Sequence, residues 1–258
     1  MAVDDYGPAS YGDALADVYD DWYADGPVAQ AVADAVANLA AGAPVLELGI
    51  GSGRLSLPLA ARGVPVWGID ASNAMVARLR AKPGGDAIPV AIGDMADVDL
   101  RELPGGGDAR FAVVLLACNT LFNLSTAADQ ARCLQGSSAV LAPGGCLVIE
   151  AAVPDPDPPL GAVEVRTVEI DRVVLNVSRR EPTGDAVRGQ LVEITEAGTR
   201  LRPWVVRPVG PDDIDAMARA AGLQLTERWA DWQRTPFTDA DPLHVSVYRK
   251  PEDRSIIM

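Results

Sequence analysis

Pro44-Val-Leu-Glu-Leu-Gly-Ile-Gly-Ser-Gly-Arg54 decides how the chain is read. Val45, Leu46 and Leu48 make the short apolar run of a strand buried on both faces. The run stops at Gly49, and Gly49, Gly51 and Gly53 follow at alternate positions. Leu55, Leu57, Leu59 and Ala60 then begin a helical pattern, so the expected order is strand, glycine loop, helix. Glycine tolerates positive φ and lets a ligand approach the backbone without a Cβ in the way. The N–H groups of such a loop, with the helix N-terminus behind them, favour an anionic group. A dinucleotide fingerprint wants a third glycine where Arg54 stands, and the Gly-Lys-Ser/Thr of a phosphate-gripping loop is absent.

Downstream, the pattern alternates as an α/β fold should. Val64 to Ile69 reads as a second strand ending in Asp70. Ser72 is placed to cap a helix to about Arg80, with Met75, Val76 and Leu79 as its buried stripe. Pro83-Gly84-Gly85 turns the chain into a third strand, Ala87 to Ile92, followed by Gly93-Asp94-Met95 and a loop with Gly105-Gly106-Gly107. Phe111 to Ala117 is a continuous apolar fourth strand. A helix from about Thr126 to Leu141 ends at Pro143-Gly144-Gly145, and Cys146 to Ala152 is the fifth strand.

The rhythm breaks at Val153 to Pro159. Ala162–Ile170, Arg172–Arg180, Ala186–Ile194 and Arg200–Arg207 then alternate apolar with polar residues, with breaks at Pro182-Thr183-Gly184-Asp185 and Gly198. They predict a four-stranded antiparallel sheet inserted as a cover on the carboxyl side of the main sheet. Pro211 opens a helix that Gly222 closes, and strands follow at Leu223 to Trp229 and Leu243 to Arg249. Upstream, Tyr11 to Tyr23 reads as one helix, and Pro27 to Ala40 as a second. The expected organisation is lid helices at 1–42, a core at 43–153, an inserted cap at 154–209, closing elements at 210–250 and a frayed tail at 251–258.

The formal charge of −14 leaves no basic face for nucleic acid. No apolar stretch approaches the ~20 residues that span a bilayer. The first residues, Met1-Ala2-Val3-Asp4-Asp5, lack the pattern of a signal peptide. Cys118, Cys133 and Cys146 are odd in number and lie in apolar segments, which predicts reduced core thiols of a cytoplasmic protein and no metal set.

Glu47-x-Gly49-x-Gly51-x-Gly53, then Asp70 at the next strand end, then Gly93-Asp94-Met95, then Leu141-Ala-Pro-Gly-Gly145 stand in one order. That order resembles the motifs of the class I S-adenosylmethionine (SAM) methyltransferases. Tyr11 to Tyr23 resembles the lid helix that precedes the first motif in many small-molecule members. The resemblance implies a Rossmann-like, doubly wound α/β fold with a seven-stranded mixed sheet, and SAM as cofactor. It places Gly49, Ile50, Gly51 and Gly53 against the cofactor backbone, with Glu47 fixing the loop or reaching the ammonium end. It gives Asp70 the ribose hydroxyls, with Ala71 and Met75 as adenine walls. Gly93, Asp94 and Met95 meet the adenine, and Tyr11 and Tyr19 cover the cofactor. Ala117 and Asn119 sit where donor and acceptor meet. In that fold the last strand is antiparallel, so its first residues lie on the ligand side; this nominates His244, the only histidine, as a base, with Tyr23 and Asn119 as rivals for orienting the acceptor. Phe122, Trp229 and Trp232 are expected in the substrate pocket.

The expected function is methyl transfer from SAM to an N or O atom of a small-molecule, secondary-metabolite acceptor, by in-line displacement. A non-methylating SAM enzyme of the same fold, such as a cyclase, and a non-catalytic SAM-binding module are the alternatives. No metal, nucleic acid or membrane partner is expected. An uncovered edge of the inserted sheet leaves a homodimer open.

Overall fold

The central strand β1, Val45–Leu48, is buried along its whole length, as its apolar run requires. In the computed structural model, which describes residues 6–24, 26–99, 101, 103–105, 109–181 and 185–252, β1 lies between β2, Val66–Asp70, and β4, Phe111–Leu116, parallel to both. β3, Val90–Ile92, is parallel to β2, and β5, Leu141–Ala152, is parallel to β4. Further out, β11, Leu243–Arg249, runs antiparallel between β5 and β10, Gln224–Trp229. The sheet order is β10-β11-β5-β4-β1-β2-β3, seven strands with the reversal of order beside β1. Ligands of open α/β sheets bind outside the carboxyl ends of the strands at such a reversal.

Strand periodicity sorts the core into two layers. Along β4, Val113 and Leu115 pack with α3, Gly26–Ala40, and α4, Ser56–Ala60, while Phe111, Val114 and Leu116 pack with α6, Ala127–Val140, and α7, Pro211–Ala220. Glu47 shares the Val45 side and therefore points at α4, under the sheet. α5, Asn73–Arg80, is capped as its sequence requires: the Met75 N–H donates to Ser72 Oγ at 3.1 Å.

The inserted segment forms a separate antiparallel sheet of four strands, β6 Gly161–Val168, β7 Arg172–Arg180, β8 Val187–Thr195 and β9 Gly198–Val206. β9 lies against the lid helix α1, Ser10–Leu15. The contact is polar at its centre. Arg202, 1% exposed, donates to the Ala14 carbonyl and to Asp17 Oδ1, both at 2.6 Å, and to Glu193 Oε2 at 3.1 Å.

Several boundaries differ from expectation. The lid is two short helices, α1 and α2, Tyr19–Trp22, separated by a turn at 16–18. Asp13, Asp17 and Asp20 tie the lid to three different places. Ser72 Oγ donates to Asp13 at 2.6 Å, Arg202 holds Asp17, and Ser52 Oγ donates to Asp20 at 2.6 Å. The third strand begins at Val90, because a turn of 3-10 helix, Gly85–Ala87, takes its expected start. β5 begins at Leu141 and runs through Pro143-Gly144-Gly145, where a helix end was expected. The Pro182-Thr183-Gly184 break and most of the tail lie outside the described residues, as do Met1 to Asp5 and Gly106-Gly107.

Candidate active site

Gly49, Gly51 and Gly53 have φ of +71°, +56° and +79°. This left-handed backbone folds the loop back over the end of β1 and is unstrained only for glycine. A Cβ on Gly51 would lie 3.3 Å from Met75 Cε, a contact tighter than side chains usually make. Asp70, at the end of β2, fixes the loop. The Gly51 N–H donates to its Oδ2 at 2.7 Å, and the Ser72 N–H donates to its Oδ1 at 2.8 Å. Burial raises the Asp70 carboxyl above its ordinary value, and these two N–H groups act in the opposite direction.

A cavity of about 360 Å³ opens at these strand ends. Gly49, Gly51, Asp70, Ala71, Met75, Gly93, Asp94 and Met95 line it, as do Tyr11 and Tyr19 from the lid. The chain therefore brings ten of the residues nominated for the cofactor around one space. A carboxylate, an apolar wall and glycine backbone suit a nucleoside with a flexible polar chain, so these residues fit SAM. Asp94 is held in place, its Oδ1 accepting from the Ala96 N–H at 2.9 Å.

Other nominated residues lie elsewhere. Glu47 is 5% exposed and accepts from Ser56 Oγ on α4, away from the cavity. Burial pushes its carboxyl up to about 8, and its hydrogen-bond partner is Ser56 of α4. Ile50 and Gly53 pack beneath the loop, against Gly68 and against Leu57 and Leu79. Ala117 is buried, and its carbonyl accepts from the Thr120 N–H. Asn119, φ +61°, faces solvent, and its Oδ1 accepts from the Ala152 N–H at 2.7 Å.

The substrate-side nominees are core residues. Phe122, Trp229 and Trp232 are 5 to 6% exposed and outside the cavity wall. The Trp232 indole N–H donates to Glu150 Oε1 at 2.8 Å. His244 is fully buried, its Nδ1 2.9 Å from Ser246 Oγ and its ring edge-on to Phe237. Burial, with Arg228 nearby, pushes its pKa down to about 4. The first residue of β11 is at the ligand side, but the second already points between sheet and helices, and His244 does not line the cavity. Tyr23 is outside the wall, though its hydroxyl is 3.4 Å from that of Tyr11 and accepts from Arg166 of β6 at 3.0 Å.

Sequence reasoning missed Tyr6, Gly7 and Pro8, which close the lid side of the cavity, and Cys118 and Thr120, which replace Ala117 and Asn119 at the end of β4. Cys118 was expected in the core. It has φ +57°, and its N–H donates to Glu150 Oε2 at 2.6 Å, which turns the thiol into the cavity wall. Cys133 and Cys146 are buried as expected. The strand-end rule alone would have found Cys118. The described residues contain no cluster of metal-binding side chains.

Comparison with known proteins agrees with this geometry. Residues 45–145 match the family model described as "Methyltransferase domain". The structure of the CcbJ methyltransferase from Streptomyces caelestis is 36% identical, with a TM-score of 0.87 over 95% of this chain and all of that one (100%). The sugar N-methyltransferase KedS8 from Streptoalloteichus sp ATCC 53650 is 26% identical, with a TM-score of 0.66 over 98% of this chain and 99% of the other. The cypemycin N-terminal methyltransferase of Streptomyces sp is 26% identical over 203 residues, 76% of this chain and 79% of its own length.

Proposed function

Since this chain belongs to the SAM-dependent methyltransferases, we propose that it methylates an amine nitrogen of a small-molecule acceptor of secondary metabolism. When bound, SAM supplies an electrophilic methyl group on sulfur. The chain's part is to hold donor and acceptor in line and to exclude water.

One observation carries the choice of nitrogen. The lid offers phenols and the end of β4 a thiol, and none of them is a base at neutral pH. Burial raises Tyr6 and Tyr11 above their ordinary values and pushes Tyr19 and Cys118 up to about 12. A neutral amine attacks without losing a proton first, whereas a hydroxyl needs a base. The names of the sugar N-methyltransferase and of the N-terminal methyltransferase among the relatives support the same reading. Methyl transfer to oxygen is the rival.

The test is incubation with SAM and a panel of amines and matched alcohols, followed by mass spectrometry. Amines gaining one methyl group would support the reading. Alcohols alone gaining it would move the proposal to oxygen, and a product of unchanged or cyclised skeleton would replace methyl transfer altogether.

We also keep the division into lid, core and cap as functional units, and a cytoplasmic location; no helix among the described residues is long and apolar enough to cross a membrane. A homodimer through the cap is consistent with the exposed Val163, Val165 and Val168 of edge strand β6, and light scattering of the purified chain tests it.

A further inference from the structure

The cap sheet has two faces, and the lid covers only one. Residues paired across an antiparallel ladder share a face. Arg202, Leu191, Asn176 and Glu164 are paired in that order from β9 to β6, and Arg202 holds the lid, so theirs is the inner face. The next row, Leu201, Val192, Leu175 and Val165, therefore faces away from the lid. Ile194, Val173 and Val168 follow on the same outer face. A bulge completes it. The register shifts between Val165 and Thr167, and the extra residue, Arg166, reaches the Tyr23 hydroxyl. Simple alternation would send Val168 inward, and the bulge turns it outward.

Val163, Val165, Val168, Ile194 and Leu201 are 68, 66, 70, 41 and 59% exposed. Together they present on the order of 500 Å² of apolar surface, a size at which such patches mark interaction sites. With its half-buried members and charged ends, the face approaches the roughly 800 Å² that each partner of a stable pair buries.

The two ends of this face carry opposite charge. Asp171, in the turn after β6, and Glu196, in the turn after β8, stand at one end, and Arg179 of β7 stands at the other. All three are exposed and without an ion pair among the described residues, whereas their neighbours Arg172 and Arg188 are paired within the sheet. Aligned sheets keep their strands within about 30° of each other. A two-fold axis between identical faces then runs either along the strands or across them. Along them, Arg179 would meet its own copy. Across them, it meets the acidic turns.

We propose that the outer face of the cap is the docking surface for a second copy of this chain, packed face to face about a two-fold axis that crosses the strands. Valine, leucine and isoleucine side chains interdigitate at its centre, and Arg179 of each copy meets the acidic turns of the other. The lid and cavity stay on the inner side of each cap. This rests on the homodimer reading above and assigns it the sheet face in place of the β6 edge.

The test is sedimentation equilibrium of the full chain over a range of concentrations. Wild type is expected to be a dimer. Leu201→Asp and Ile194→Asp put a carboxylate on the face, on strands that do not touch the β6 edge. Each is expected to weaken association on the order of 100-fold. Both positions are exposed in the single chain, so folding is expected to persist, which circular dichroism checks. Arg179→Glu is expected to weaken association about tenfold, and Asp171→Arg added to the same chain to restore it. A wild-type dimer that both aspartate variants leave intact overturns the proposal and leaves a homodimer through the β6 edge. Weakening by the aspartate variants without rescue by the charge swap overturns the crossed axis. A monomeric wild type removes the homodimer reading, and the proposal with it. Should one aspartate variant fail to fold, the other decides.

Discussion

The Asp70 carboxylate accepts the Gly51 N–H at 2.7 Å, tying the end of β2 to the glycine loop beyond β1. One residue thus shapes the loop and faces the cavity. Each Asp70 oxygen accepts one backbone N–H and keeps acceptor capacity toward the cavity, which the proposed function assigns to two ribose hydroxyls.

Asp70→Ala is therefore expected to lower affinity for S-adenosylhomocysteine by about 100-fold or more, since it removes the ligand's acceptor and leaves the Gly51 and Ser72 N–H groups unpaired. Asp70→Asn keeps the shape and one acceptor, and its loss is expected nearer tenfold. Calorimetry on both variants checks the order. An Asn variant as weak as the Ala variant would mean that the charge, not the loop geometry, carries the site.

Glu47 gives a pH signature. Its carboxyl titrates near 8 in the fold against about 4.5 in the unfolded chain. The native state thus holds more protons between these values, and stability falls as pH rises through that window. Glu47→Gln removes the effect and keeps an acceptor for Ser56. Urea denaturation at pH 5, 6.5 and 8 is expected to show the variant gaining on wild type by a few kcal/mol across the series. Parallel curves would mean that Glu47 is ionised in the fold.

His244 acts in the opposite direction. Its pKa near 4, against 6.5 unfolded, makes its contribution complete above pH 6.5 and lost as pH falls toward 4. His244→Asn is expected to flatten the acid limb of the stability curve. The pH dependence of methyl transfer should stay as in wild type, which a rate profile from pH 6 to 9 measures. A lost or shifted limb in that profile would return His244 to the chemistry.

The clasp between lid and cap is Asp17 with Arg202. Asp17→Ala leaves the buried guanidinium with the Ala14 carbonyl and with Glu193 as its one remaining ion-pair partner among the described residues. It is expected to cost about 1–2 kcal/mol, less than removal of a fully buried partner because Asp17 is half exposed. A double-mutant cycle with Arg202→Met measures the coupling. A coupling near zero would make the contact incidental to lid closure.

Features with a local physical cause were legible before any coordinates. β1, the glycine loop and the Ser72 cap follow from apolar runs, positive φ and side-chain capping. The four cap strands follow from strict alternation. Strand order carried the site, because Asp70 and Asp94 gain meaning only when their strands end on one side. What stayed hidden depends on where a side chain turns. Glu47 and Asp70 are both acids beside the glycine loop, yet strand alternation sends one under the sheet and leaves the other at its end. Cys118 and Asn119 are adjacent with similar left-handed backbone, and the Glu150 carboxylate and the Ala152 N–H decide which one faces the cavity. These partners lie more than thirty positions away, beyond the reach of any pattern.

The central claim is that this cavity holds SAM through the glycine loop and Asp70. Its most direct test is calorimetric titration of the wild-type chain with S-adenosylhomocysteine, with NAD as the control ligand. The expected result is saturable binding of one S-adenosylhomocysteine per chain and none of NAD. A folded protein giving no heat with S-adenosylhomocysteine, or binding NAD in its place, would contradict the account.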